Sequence, residues 1–316
     1  MAIHGLGSMT LGVPRVDEAR QFYREFGLTE LAPGDFASRD GGEQLHVVER
    51  PIRQLVEVTL AADDPDDLER IADAAVANDL EVTNHDATDH RTGAHGTGSI
   101  SVIEPVAGIR VRVAIRDRIT QSPNDTPPMN GPGNTVRDGD RAPAIFAEGP
   151  AAPRRLGHVL WGTPDIAASK RFLVDVLGFR LSDESAGIIA FLRCSPDHHN
   201  VGLISSPVPF FHHSSWQVDD VDEIGRGAHH LLTGDPLRNV WGLGRHFLGS
   251  NLFWYFRDPA GNFAEYFADL DQIGDDDAWI ARDWTPDKSL YAWGPPVPRD
   301  FVEPPDLAEI KEALSA

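Results

Sequence analysis

Residues 6–28 read LGSMTLGVPRVDEARQFYREFGL, and residues 156–179 read LGHVLWGTPDIAASKRFLVDVLGF. Each reads as a short strand, a turn at Pro14 or Pro164, an amphipathic helix, and a glycine stop at Gly27 or Gly178. The apolar helix face Ala19, Phe22 and Phe26 is echoed by Ala168, Phe172 and Val176. The echo continues downstream. LVEVTLAADDPDDLERIA (55–72) parallels FHHSSWQVDDVDEIGRGA (211–228). Each is an alternating strand followed by an acidic helix start, where carboxylates suit the positive end of the helix dipole. SISVIEPVAGIRVRVAI (99–115) parallels LFWYFRDPAGNFAEYFA (252–268), each a hairpin with Pro and Gly at the turn. The chain is therefore one architecture used twice, each half being two βαβ-type units with extra strands.

Outside the repeats, residues 119–153 are rich in Pro, Gly, Asn and Asp and lack periodicity, as a linker does. The expected division is an N-terminal domain at 1–118, the linker at 119–153, a catalytic domain at 154–272 and a tail at 273–316. The tail carries Trp279, Trp284, Tyr291 and Trp293 and ends in an amphipathic DLAEIKEAL. So many aromatic rings predict a tail packed on the body, because exposing them forfeits buried apolar area.

The 316 residues suit two domains. A net charge of -21 argues against nucleic acid or anionic lipid as a partner. Cys194 is the only cysteine, so no intrachain disulfide can form and a reducing cytoplasm is expected. The N-terminal MAIHGLGSMTLGV does not read as a signal peptide, and no stretch approaches a membrane span.

Alignment of the halves exposes three exceptions. Ser8 stands where His158 stands, Glu57 where His213 stands, and Arg112 where Glu265 stands, the last pair each four residues after a glycine (Gly108 and Gly261). Two imidazoles and one carboxylate form the facial triad of non-haem iron(II) oxygen chemistry, which leaves the opposite face of the metal open. The first half offers no such cage. A guanidinium keeps its protons and has no lone pair for a metal. The first half should hold no metal, and Glu57 and Arg112 should pair inside it.

These residues resemble the vicinal oxygen chelate superfamily, and within it the type I extradiol ring-cleaving dioxygenases (catechol 2,3-dioxygenase-like). The resemblance spans nearly the whole chain. It is carried by LGHVLWGTPD, DHHNVGL, FHHSSWQVDD, GRHFLGSNLFWYFRDPAGNFAEYF and WGPPVP. It implies an α+β fold of two similar domains, each of paired βαβββ modules forming a half-open barrel, with the active site in the second.

It further implies a metal on His158, His213 and Glu265, iron(II) or alternatively manganese(II), with His212 turned away by strand alternation. It makes His199, in preference to His198, the acid–base residue, and His246 and Tyr255 the polar residues around the substrate oxygens. The implied reaction is cleavage of a catecholic ring by O₂ next to the two hydroxyls, giving a muconic semialdehyde-type product in a homo-oligomeric enzyme. Leu160, Trp241 and Leu243 stand where some members keep polar or basic groups for a carboxylated substituent, which favours a neutral or apolar one. Trp161, Phe191, Leu203 and Trp216 are candidates for the apolar wall of the site. His4, His46, His85, His90, His95, His229 and His230 read as surface or loop positions. The alternatives are a glyoxalase-type isomerase and a non-enzymatic drug-binding protein of the same fold. The first would leave His199, His246 and Tyr255 without a role.

Overall fold

The computed structural model describes residues 3–85, 98–124 and 129–315. The first half runs β1 (Ile3–Val13), α1 (Val16–Glu25), β2 (Thr29–Ala32), β3 (Asp35–Ser38) and β4 (Gly42–Glu49). It continues with β5 (Gln54–Ala62), α2 (Pro65–Ala77), β6 (Thr83–His85), β7 (Ser99–Ile103) and β8 (Arg110–Ile115). That is βαβββ twice. The second half repeats it with β9 (Arg155–Thr163), α3 (Ile166–Arg171), β10 (Arg180–Ser185), β11 (Ile189–Arg193) and β12 (Val201–Ser205). Then follow β13 (Phe210–Gln217), α4 (Val221–Gly234), β14 (Asn239–His246), β15 (Leu252–Arg257) and β16 (Phe263–Ala268).

Each half makes one curled sheet, a half-open barrel. The strand orders are β2-β3-β4-β1-β5-β8-β7-β6 and β10-β11-β12-β9-β13-β16-β15-β14-β17. The extra strand β17 (Tyr291–Trp293) comes from the tail. The aligned exceptions also share register. Thr59 pairs with Ser8 and with Arg112, and Ser215 pairs with His158 and with Glu265. The two three-residue sets thus occupy equivalent points of equivalent sheets.

The second copy of the opening stretch is one residue longer, and its apolar face is spaced 168, 172, 176 instead of 19, 22, 26. The structure absorbs the extra residue as a π-helical turn over Phe172–Val176, following α3. Asp64, Asp165 and Asp220 cap α2, α3 and α4 by accepting hydrogen bonds from first-turn amides. Gly27 has φ +98 and lies so close to the Ala151 carbonyl that a Cβ would strike it, which fixes glycine at the end of α1.

The halves share a core. Phe26 stacks on Tyr266 with ring centroids 4.2 Å apart, and the Tyr266 hydroxyl donates to the Phe26 carbonyl at 2.6 Å. Buried Arg53 donates to the carbonyl of Phe211 and to Asp306, tying the first half to β13 and to the tail. Between β8 and β9 the described residues hold one short 3₁₀ turn, Pro143–Phe146.

The tail packs on the second sheet. Trp279 donates to the Ser182 carbonyl, Trp284 donates to Asp183, and β17 pairs with β14. Two short helices, α5 (Arg299–Val302) and α6 (Leu307–Ser315), bury Phe301 and Ile310. Trp293 is the exception, being about half exposed. No helix of the described residues is long and apolar enough to cross a membrane.

Candidate metal centre

Three neighbouring strands build the site. β9 carries His158, β13 carries His213 and β16 carries Glu265. Ser215 lies in register between His158 and Glu265, and His213 is two residues from Ser215. Alternation therefore sends all three side chains to one face. Their ligand atoms all lie within 4.8 Å of one another, and all three residues are buried. Glu265 Oε2 stands 3.1 Å from His158 Nε2 and 3.6 Å from His213 Nε2.

Burial alone would push the Glu265 carboxyl up. The imidazoles of His158, His246 and His213 gathered around it outweigh burial and hold the carboxyl far below the usual range. Burial pushes His213 well below the ordinary histidine value. A bare imidazole beside an ionised carboxylate suits a divalent cation. His213 Nε2 and Glu265 Oε2 are buried with no hydrogen-bond partner, as expected of atoms that a metal would satisfy. The residues present therefore fit the ion.

The cavity before the triad is lined by His199, His246 and Tyr255 as well as by His158 and His213. His199 is held from behind. Its Nδ1 lies 3.1 Å from Nδ1 of His198, whose Nε2 lies 3.0 Å from Asp183. Burial pushes His199 well below the usual histidine value, and neighbouring histidines add to the shift. His246 lies on β14 and Tyr255 on β15, where Tyr255 pairs with Glu265. Burial, then the Glu265 charge, pushes the Tyr255 hydroxyl well above its usual value, so it stays protonated.

Several sequence expectations need correction. His212 is not turned away. β13 pairs Phe211 with Trp161 and His213 with Leu160, so His212 is the extra residue of a bulge. The bulge breaks the alternation, and His212 lines the same cavity as His213. Burial lowers its pKa from the ordinary value to about 4. Of the four wall candidates, only Phe191 lines the cavity. Trp161, Leu203 and Trp216 belong to the main core. The wall is instead Leu160, Ile189, Ile204, Leu248, Leu290 and Phe301, with half-exposed Ile188 and Val302 at the rim.

His4 and His46 are not surface positions. The His4 side chain is largely covered, with its Nε2 3.0 Å from the Arg116 carbonyl, and His46 is buried against Asp35. His229 and His230 are exposed, and His85 is half-buried against Ser101. His90 and His95 lie outside the described residues.

Sequence reasoning also missed contributors. Asn251 is fully buried and donates to Glu265 Oε1 at 3.3 Å. It immediately precedes β15, and a polar residue beside that apolar strand was the available signal. Asp183 carried no such signal. The carbonyls of Leu290 and Phe301, which face His246 and His212, carry none either, because any residue has a carbonyl.

Residues 155–266 match the model of the Glyoxalase/Bleomycin resistance protein/Dioxygenase superfamily. The match runs from the start of β9 into β16 of the second sheet. Metapyrocatechase 2 of Cupriavidus necator is 47% identical over 152 residues, which cover 48% of this chain and 47% of that protein. The chain thus spans about half the length of that curated relative. The fold is shared with two solved structures at a TM-score of 0.74. One is the Mn(II)-bound glyoxalase from Novosphingobium aromaticivorans, 22% identical, covering 95% of this chain and 94% of that one. The other is a halotolerant catechol dioxygenase, 19% identical, covering 96% and 97%. His158, His213 and Glu265 all lie within the matched residues.

Proposed function

We propose that the chain is an extradiol dioxygenase that opens a catecholic ring with O₂ beside its two hydroxyls. One observation carries the reading: the His158, His213 and Glu265 ligand atoms converge beside an apolar cavity that His158 and His213 line together with His199, His246 and Tyr255. Likeness to metapyrocatechase 2 supports it.

His158, His213 and Glu265 would hold the ion, iron(II) in our reading, with manganese(II) accepted by the same donors. Bound there, the ion would supply a Lewis acid for the catechol hydroxyls and a centre at which O₂ is activated. The chain's own residues do the rest. His199, kept neutral by burial, takes a catechol proton and later returns it. His246 accepts the Tyr255 proton at rest, and Tyr255 turns that proton to the substrate oxygens as charge develops there. Leu160, Phe191 and Ile204 hold the ring and exclude water. Among the described residues lining the cavity there is no lysine or arginine, so a neutral or apolar substituent fits better than a carboxylated one.

A reducing cytoplasm suits both iron(II) and the thiol of Cys194, and we place the enzyme there as a homo-oligomer. A glyoxalase-type isomerase would leave His199, His246 and Tyr255 unused. The test is anaerobic loading with iron(II) or manganese(II), then exposure to a panel of catechols in air. Formation of the yellow ring-opened product with O₂ uptake is expected. Stoichiometric metal binding without any catechol turnover would overturn the reading.

A further inference from the structure

We propose that His212 is a positioning residue: with the carbonyl of Phe301 it fixes the tautomer of His213, so that His213 Nε2 presents a bare lone pair to the triad. The use of that lone pair rests on the metal reading above; its placement does not.

The proton positions follow from one fixed point. His212 Nε2 lies 2.8 Å from the Phe301 carbonyl. A carbonyl only accepts, so His212 Nε2 carries a hydrogen. The ring is buried between Phe263 and Phe301, with centroids 5.2 and 4.7 Å away, where a cation would lack solvation. A neutral imidazole has a single N–H, so His212 Nδ1 is left as an acceptor. That acceptor lies 2.7 Å from His213 Nδ1. Two nitrogens at this distance need one hydrogen between them, and only His213 can provide it. His213 Nδ1 is therefore protonated and its Nε2 is bare. The same Nε2 is buried, lacks a hydrogen-bond partner and faces Glu265 Oε2 at 3.6 Å.

The bulge makes the relay possible. A regular strand would send His212 and His213 to opposite faces. The extra residue at His212 brings the two rings to one side, 4.9 Å apart. The far end of the relay is a backbone atom of α5, so the tail helps set the chemistry of a strand more than 80 residues before it.

The test begins with metal-free protein carrying ¹⁵N-labelled histidine. The ring-nitrogen shifts of His213 should show hydrogen on Nδ1 and a bare Nε2. In His212→Phe the relay has no acceptor, and His213 should move toward the opposite tautomer. Manganese(II) affinity should then fall by about 10–100-fold, the usual worth of a group that orients a metal-binding histidine. Thermal stability should be measured beside it. His212→Gln can both accept from His213 and donate to Phe301, and should recover most of the affinity. A hydrogen on His213 Nε2 in the wild-type protein, or unchanged manganese affinity in His212→Phe, would overturn the relay. Should the wild type bind no metal, the metal reading fails, while the His213 spectrum still decides the tautomer. Should His212→Phe not fold, the wild-type spectrum and His212→Gln carry the test.

Discussion

The Tyr255 hydroxyl lies 2.9 Å from Nε2 of His246, whose Nδ1 faces the Leu290 carbonyl at 2.6 Å. The carbonyl accepts, so His246 carries its hydrogen on Nδ1 and takes the Tyr255 proton as an acceptor. The pair enters the cavity as one hydrogen-bonded unit. Tyr255→Phe removes the donor and should lower kcat by about 10²–10³-fold, the usual loss when one donor to developing charge is deleted. Metal content should not change. Unaltered kcat would remove Tyr255 from the reacting centre.

The triad is tested by deletion. His158→Ala, His213→Ala and Glu265→Ala should each lose metal and activity while keeping the wild-type circular dichroism. Any one of them retaining both full metal and full turnover would strike that residue from the ligand set.

His199 and His198 are distinguished by what stands behind them. His198 is engaged by Asp183 and turns its other nitrogen to His199, which leaves His199 to meet the substrate. His199→Phe should keep its metal and slow turnover by about 10²–10⁴-fold. A near-normal His199→Phe beside a crippled His198→Phe would reverse the roles.

Arg112 donates to Glu57 at 3.0 Å, and both side chains are buried. Arg112→Ala leaves Glu57 charged without this partner, at a cost of roughly 3–5 kcal/mol. The melting temperature should fall while metal stays at one ion per chain. Two tightly held ions in the wild type would contradict the assignment of the first half.

Acid should destabilise the metal-free protein in a defined window. The His212 pKa falls from the ordinary 6.5 to about 4 in the fold. Below 6.5 the unfolded chain binds a proton that folded His212 refuses, so stability drops as pH falls from there and levels off near 4. A 2.5-unit gap is worth about 3 kcal/mol. His199 and His213 shift the same way and add to the loss. Urea midpoints across this range, with and without manganese(II), measure it. A flat profile in the metal-free protein would contradict neutral burial of these rings.

The repeat, the paired modules and the triad positions were legible because each follows from a spacing. Helix faces recur at three and four residues, strands alternate, and Pro and Gly punctuate both halves alike. What escaped were local departures from those periods. The bulge at His212 inserts a residue without any composition signal, and the π turn at Phe172–Val176 hides a one-residue difference between repeats. Trp161 and Trp216 were read as cavity wall because aromatic residues serve cores and pockets equally well. The partners of His246 and His212 are main-chain carbonyls of Leu290 and Phe301, which no side chain announces.

Arg112 also bears on metal supply. Its guanidinium takes, in the first sheet, the register position that Glu265 takes in the second. One half thus carries its counter-ion welded to its own backbone, whereas the other, if the proposed metal site is right, imports one. On the proposed metal reading, metal starvation should therefore strike a single half of the molecule. The first sheet can assemble with no ion present and offer Phe26 as a finished docking surface for Tyr266, whose side chain points away from the triad. A newly made chain would then wait for its metal as a nearly complete body with one soft cavity, open to loading.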